Sequence, residues 1–198
     1  MKAIATFLLA TLISTMASAV PITFVYTGTL STQTTLNGVD VGNQPFVVTA
    51  TADNANVASP ESGFLILMHD TATISINNAA ALTILTPTET FSNFRTDGVG
   101  LGSSDLGDIF GYFRLADYDF STDVAQIVAS NARFPNAPLT VSTSGGDLAF
   151  SLAGNAPGTF QATIGATAVP LPGPILLLLS GLGVIAALTR HRPSTRPR

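Results

Sequence analysis

Between Val20 and Ala168 the chain returns again and again to short runs of β-branched and aromatic residues with a period of two. The first is Ile22-Thr23-Phe24-Val25-Tyr26-Thr27-Gly28-Thr29-Leu30, in which Ile22, Phe24 and Tyr26 alternate with smaller or hydroxylated side chains. Successive strand residues point to opposite faces, so this pattern suits a half-buried strand and not the 3.6-residue stripe of an amphipathic helix. Similar runs follow at Phe46–Thr51, Phe64–Met68, Thr71–Ile76, Leu82–Thr86, Ile109–Leu115, Val124–Ala129, Leu139–Thr143, Leu148–Leu152 and Phe160–Ala166. Turn-forming residues separate them, among them Asn37-Gly38, Gly42-Asn43, Pro60-Glu61-Ser62-Gly63, Asn77-Asn78, Asp97-Gly98 and Gly145-Gly146-Asp147. Many short strands with no long helix between them predict an all-β, antiparallel β-sandwich, with a jelly roll or open barrel as the alternative. The 149 residues from Val20 to Ala168 are enough for one domain with a real core.

Charge separates this body from its ends. All twelve acids lie between Asp40 and Asp147, where the only basic side chains are Arg95, Arg114 and Arg133, a formal charge of −9. Nucleic-acid binding rests on Lys and Arg contacts to phosphate, so this balance argues against it. The chain has no Cys, which excludes disulfides and lipid attachment through an N-terminal Cys.

The ends read as export signals. Lys2, the apolar stretch Ala3–Ile13 and the small residues Ala17-Ser18-Ala19 predict a signal peptide over residues 1–19, cut by signal peptidase before Val20. At the other end Pro170, Pro172 and Pro174 fix φ and disfavour α at the residues before them, so Val169–Gly173 should be extended. The apolar run Ile175–Leu188 carries no charge, and Arg190 and Arg192 follow it as a basic stop. Its fourteen residues make a helix roughly 21 Å long, short against a hydrocarbon core of about 30 Å. Such a span suits either a plain anchor or a handle that is held and then removed, and hydropathy does not separate the two. Basic residues outside both apolar segments predict that the body between them is translocated.

The order of a Val169-Pro170-Leu171-Pro172 strip, a short apolar helix and an Arg-rich end resembles the PEP-CTERM sorting domain of Gram-negative bacteria. It is closest to the variant whose motif reads Val-Pro-Leu-Pro-Ala, with Gly173 standing in place of that Ala. The resemblance covers about the last thirty residues. It implies transient insertion in the inner membrane, recognition by an exosortase-type membrane protease and cleavage. It also implies delivery to the cell surface or an extracellular matrix that contains exopolysaccharide. Residues 169–174 would be the motif, 175–188 the transmembrane helix and 189–198 the basic tail.

Within the body, the densest chemistry is Asp117-Tyr118-Asp119-Phe120-Ser121-Thr122-Asp123. Oxygen ligands at alternate positions are what a Ca²⁺ loop supplies, which makes Asp117, Asp119 and Asp123 the candidate metal ligands. The segment lacks Gly at its sixth position and Glu at its twelfth, so it is not an EF-hand. The same spacing places the acids and Ser121 on one face of a strand and Tyr118 and Phe120 on the other, as at a solvent-facing edge. His69, beside Asp70, is the body's single histidine, and Glu61 and Glu89 are its two glutamates. These are the residues a hydrolase would have to use, yet no Gly-x-Ser-x-Gly elbow, metal-type His cluster or phosphate loop accompanies them. The reading is a non-enzymatic, structural or adhesive exported protein with no cofactor. A calcium-stabilised carbohydrate-binding sandwich is the alternative.

Overall fold

The computed structural model of the chain describes residues 20–113, 115, 117–133, 139–150 and 156–165. The expected signal peptide, the motif Val169–Pro172, the apolar run and the basic residues Arg190 and Arg192 lie outside them. Among the described residues no helix is long and apolar enough to cross a membrane.

Nearly all of the regular structure described is β. The strands are β1 (Pro21–Thr29), β2 (Thr35–Leu36), β3 (Val39–Asp40), β4 (Pro45–Asp53), β5 (Ala58–Glu61), β6 (Phe64–Met68), β7 (Thr71–Ile76) and β8 (Leu82–Thr83). They continue as β9 (Glu89–Asn93), β10 (Gly98–Ser103), β11 (Gly107–Phe113), β12 (Val124–Arg133), β13 (Leu139–Thr143), β14 (Gly146–Phe150) and β15 (Ala156–Ile164). All pair antiparallel, in a long sheet ordered β5-β6-β9-β10-β11-β12-β15-β1-β4-β7-β8 and a short one ordered β13-β14-β2-β3. A strongly twisted open sheet of that size tends to curl or split. This one folds over itself. Tyr26 on β1 reaches across to Thr90 on β9, and the Phe110 ring on β11 lies 5.5 Å from both the Tyr26 and Phe46 rings. The result is sandwich-like, with β5, β6, β9, β10 and β11 facing β15, β1, β4 and β7.

Two strand regions make the corners. His69, just after β6, donates its backbone N–H to Thr88 on one layer, and Asp70 donates its own to Thr51 on the other. The chain therefore changes layers between adjacent residues. β12 pairs with β15 along much of its length and with β11 at its C-terminal end, with register shifts after Val124 and after Ala129. Bends and bulges at such positions are how strands pass between layers.

Alternation fills the interior. Ile22, Phe24 and Tyr26 of β1, Phe46 and Val48 of β4, Ile74 of β7, Val99 and Leu101 of β10, and Phe160 of β15 are buried. Each such side chain contributes about 1.5–3 kcal/mol by leaving water. The four-stranded sheet adds Val141 and Leu148 to the core and is tied to the larger sheet by an Ile84–Thr143 bridge. At the β2–β3 turn Asn37 and Gly38 have φ of +50° and +79°, the mirror-image turn that matches strand twist.

The outward positions of β15, β1, β4 and β7 fall into unbroken rows. One is Thr163–Thr23–Thr51–Thr71, the next Gln161–Val25–Thr49–Thr73, and the third Thr159–Thr27–Val47–Ser75. No bulge interrupts the pairing of these four strands. On the other layer Phe91 of β9 lies over the backbone of β10, directly opposite Gly100, and is almost fully buried. An aromatic placed across from a strand glycine covers backbone that the missing side chain leaves bare.

Candidate functional site

The most connected polar cluster centres on His69. Its position at the corner carries the ring inward, where it packs 5.7 Å from the Phe24 ring, centroid to centroid. Nδ1 lies 2.9 Å from Thr88 Oγ1 and Nε2 lies 2.8 Å from Thr90 Oγ1. Thr90 Oγ1 is also 2.6 Å from the Tyr26 hydroxyl, which stands 3.3 Å from the Gly100 carbonyl. One assignment uses every polar hydrogen: Thr88 donates to Nδ1, Nε2–H to Thr90, Thr90 to Tyr26, and Tyr26 to Gly100. It requires a neutral imidazole. Burial disfavours the charged form and lowers the His69 pKa from 6.5 to about 4. Burial likewise raises the Tyr26 pKa, with the Thr90 hydrogen bond acting against it.

This arrangement is a poor general base. Thr90 is fully buried and Thr88 nearly so, both ring nitrogens are occupied, and the hydrogen-bond partners of the ring are hydroxyls rather than a carboxylate. Asp70, the sequence neighbour, is exposed and sits beyond the corner.

The loop Asp117–Asp123 is not a strand. Asp117 and Phe120 take φ of +56° and +64°, a conformation that a buried aromatic adopts rarely. The expected alternation survives in another form: Tyr118 and Phe120 are buried against Phe160 and Phe24, whereas Asp117, Asp119, Ser121 and Asp123 are exposed. Asp119 Oδ1 accepts from the Ser121 hydroxyl at 2.6 Å and from its backbone N–H at 3.0 Å, and these bonds lower its pKa. Asp123 Oδ1 accepts from the Ile164 N–H at 2.6 Å, which ties the loop to β15. Two of the three candidate ligands are thus engaged by their own chain. Among the described residues no group of three or more Asp, Glu or His side chains is placed to hold a metal ion.

Glu61 and Glu89 are not brought together. They pair with Phe64 and Met68, at opposite ends of β6, roughly 13 Å apart along the strand. Glu61 instead lies 3.6 Å from Arg95, which also donates to the Ser62 carbonyl. Glu89 stands on β9, and its cross-strand partner is Gly102, which on its other side faces Asp108. Burial and the Asp108 charge raise the Glu89 pKa, and burial raises that of Asp108. Sequence reasoning missed this pair because the strand between them reads Gly-Val-Gly-Leu-Gly. It also missed Thr88 and Thr90, although Thr88, Thr90 and Ser92 alternate with Glu89, Phe91 and Asn93.

A shallow cleft of about 330 Å³ lies at the end of the threonine-bearing face, lined by Thr27, Thr29, Pro45, Phe46, Val128 and Thr159 among others. Val128 is 71% exposed there. No protein-family model, no curated protein and no solved structure matches the chain.

Proposed function

We propose that the chain is an exported cell-envelope protein whose C-terminal segment is a PEP-CTERM-type sorting signal cut by an exosortase-type protease. Its β domain, which we read as an antiparallel sandwich, serves a structural or adhesive role at the cell surface or in the extracellular matrix. The observation that carries this reading is the order of Val169–Pro172, the apolar run Ile175–Leu188, and Arg190 and Arg192, joined to a signal-peptide pattern at residues 1–19. Extended proline strips suit proteases, which read substrates as strands.

Two features of the domain support the non-enzymatic part. His69 has both ring nitrogens engaged by threonine hydroxyls, and Glu61 and Glu89 pair with opposite ends of β6. The test is the intact mass of the protein made in a host that has the processing enzyme. Loss of the mass C-terminal to the motif is expected. A mature chain still ending at Arg198 would sink the sorting claim.

A further inference from the structure

We propose that the outward face of β15, β1, β4 and β7 is a docking surface for an uncharged polysaccharide strand. The proposal adds a partner to the surface role above and rests on that reading for its setting, though not for its chemistry.

Nine of the twelve residues in the three rows carry a hydroxyl, at fixed spacing, and Gln161, Val25 and Val47 are the other three. In the row Thr163–Thr23–Thr51–Thr71, neighbours are one strand apart, about 4.8 Å, and the next row lies about 7 Å along the strands. The hydroxyls are ordered before any ligand arrives. Thr51 Oγ1 and Thr71 Oγ1 are 2.7 Å apart, and Thr27 and Thr159 are 2.6 Å apart. One hydrogen satisfies each such pair and leaves the second O–H and a lone pair for a ligand, although Gln126 already donates to Thr159. Thr73 and Ser75 donate to the Thr49 and Ala79 carbonyls and so offer only their lone pairs. β-branched side chains are also stiff at χ1, so little rotamer freedom is lost on binding. Each threonine shows a methyl beside its hydroxyl, and sugar rings likewise show C–H faces rimmed by hydroxyls.

Charge and size select among occupants. No ionisable side chain stands in the three rows, in a body carrying −9. Asp53, Asp70 and Asp123 border the face at the end where its first row lies, beside Pro21, Thr71 and Ile164. An anionic polymer would be repelled at that border, and a second copy of the chain would bring its own −9 with it. Four strands by three rows cover on the order of 400 Å², about half of what each partner gives to a stable protein interface. A single glycan strand needs no more. The face carries no aromatic platform, so each contact is weak and binding accumulates along a polymer.

The test uses the full chain in detergent micelles, incubated with amorphous cellulose, cross-linked dextran and agarose as neutral solids and with calcium alginate as the anionic one. The comparison variant is Thr49→Val/Thr51→Val/Thr71→Val, whose fold is checked by circular dichroism. Retention on at least one neutral solid, less on alginate, and at least about a tenfold weaker retention of the variant are expected, from three lost hydrogen bonds. Equal retention of the variant, preference for alginate, or no retention on any neutral solid would overturn the proposal. So would a dimer in sedimentation that the triple variant abolishes, because the face would then belong to a second copy. None of these outcomes depends on C-terminal cleavage, so failure here is distinct from failure of the sorting claim.

Discussion

Acidification should loosen the domain through His69, and the size of the effect follows from its burial. An imidazole in the unfolded chain takes up a proton near pH 6.5, whereas in the folded chain it resists until about pH 4. Between those values the unfolded state binds more protons, so stability falls as pH falls through that window and levels off below it. The full difference is about 3 kcal/mol, of which about 2 kcal/mol is lost between roughly pH 7.5 and pH 5. Glu89 and Asp108 act in the opposite sense. Their folded pKa values are raised, so protonation returns stability as pH falls through them. Asp119 has a lowered pKa, and its stabilising contribution is lost only under more acidic conditions. Glu89 and Asp108 oppose the histidine as pH falls, so its contribution is read as the difference between the wild-type chain and a variant that cannot titrate at position 69. Urea unfolding of the full chain, followed by far-ultraviolet circular dichroism across that span, gives the slope. His69→Gln keeps a donor and an acceptor but does not titrate, so its stability should be lower at neutral pH and should lack the part of the acid-side fall that His69 contributes. The chain has two histidines, His69 and His191, which lets nuclear magnetic resonance check the cause directly. The ring signal that His69→Gln removes should titrate near pH 4, well below the ordinary imidazole value. An ordinary titration of the His69 ring, or an unchanged slope in the variant, would refute the reasoning.

Gly100→Ala should cost about 1–3 kcal/mol or more, because its Cβ would stand 2.3 Å from the Phe110 carbonyl oxygen and 2.4 Å from Phe91 Cζ. Gly38→Ala, at φ +79° with open space around it, should cost only about 1 kcal/mol, and paired thermal melts would expose an error if the order were reversed. Calcium titration of the full chain should release no heat and leave the melting temperature unchanged, since Asp119 and Asp123 already accept from Ser121 and Ile164. A calcium-dependent rise in melting temperature would show that the loop rearranges to bind the ion.

The strands that sequence made legible are those in which large apolar residues alternate with small polar ones. Phe24 and Tyr26, Phe46 and Val48, and Ala72 and Ile74 all point inward as the period of two requires. β10 was hidden because Gly98, Gly100 and Gly102 suggest a turn. The strand holds because Phe91 covers the bare backbone from β9, a contact that no local pattern encodes. β9 was hidden because its inward residues, Thr90 and Ser92, are polar. The loop at Asp117–Asp123 kept the right sides for its residues and lost the strand, because αL backbone at Asp117 and Phe120 turns the chain where alternation alone would extend it. The partners of His69 were invisible for a related reason: Thr88 and Thr90 lie nineteen and twenty-one residues away, and only the pairing of β6 with β9 brings them to the ring.

The position of that network bears on why a sandwich keeps polar groups in its interior. The chain passes from one layer to the other between His69 and Asp70, so this corner sets which residues of β7 face inward. With a strand period of two, a slip of one residue there would turn Ala72, Ile74 and Ile76 outward and put Thr71, Thr73 and Ser75 into the core. Burial already opposes such a slip, because Ala72, Ile74 and Ile76 would be lost from the core. Two directed hydrogen bonds from a rigid ring add to that, since a displaced imidazole would leave the buried Thr88 hydroxyl without its ring partner, at about 1–3 kcal/mol, and Thr90 with Tyr26 alone. The same corner fixes Thr71 and Thr73 on the outward face. The buried histidine and the external hydroxyl lattice are therefore set by one register.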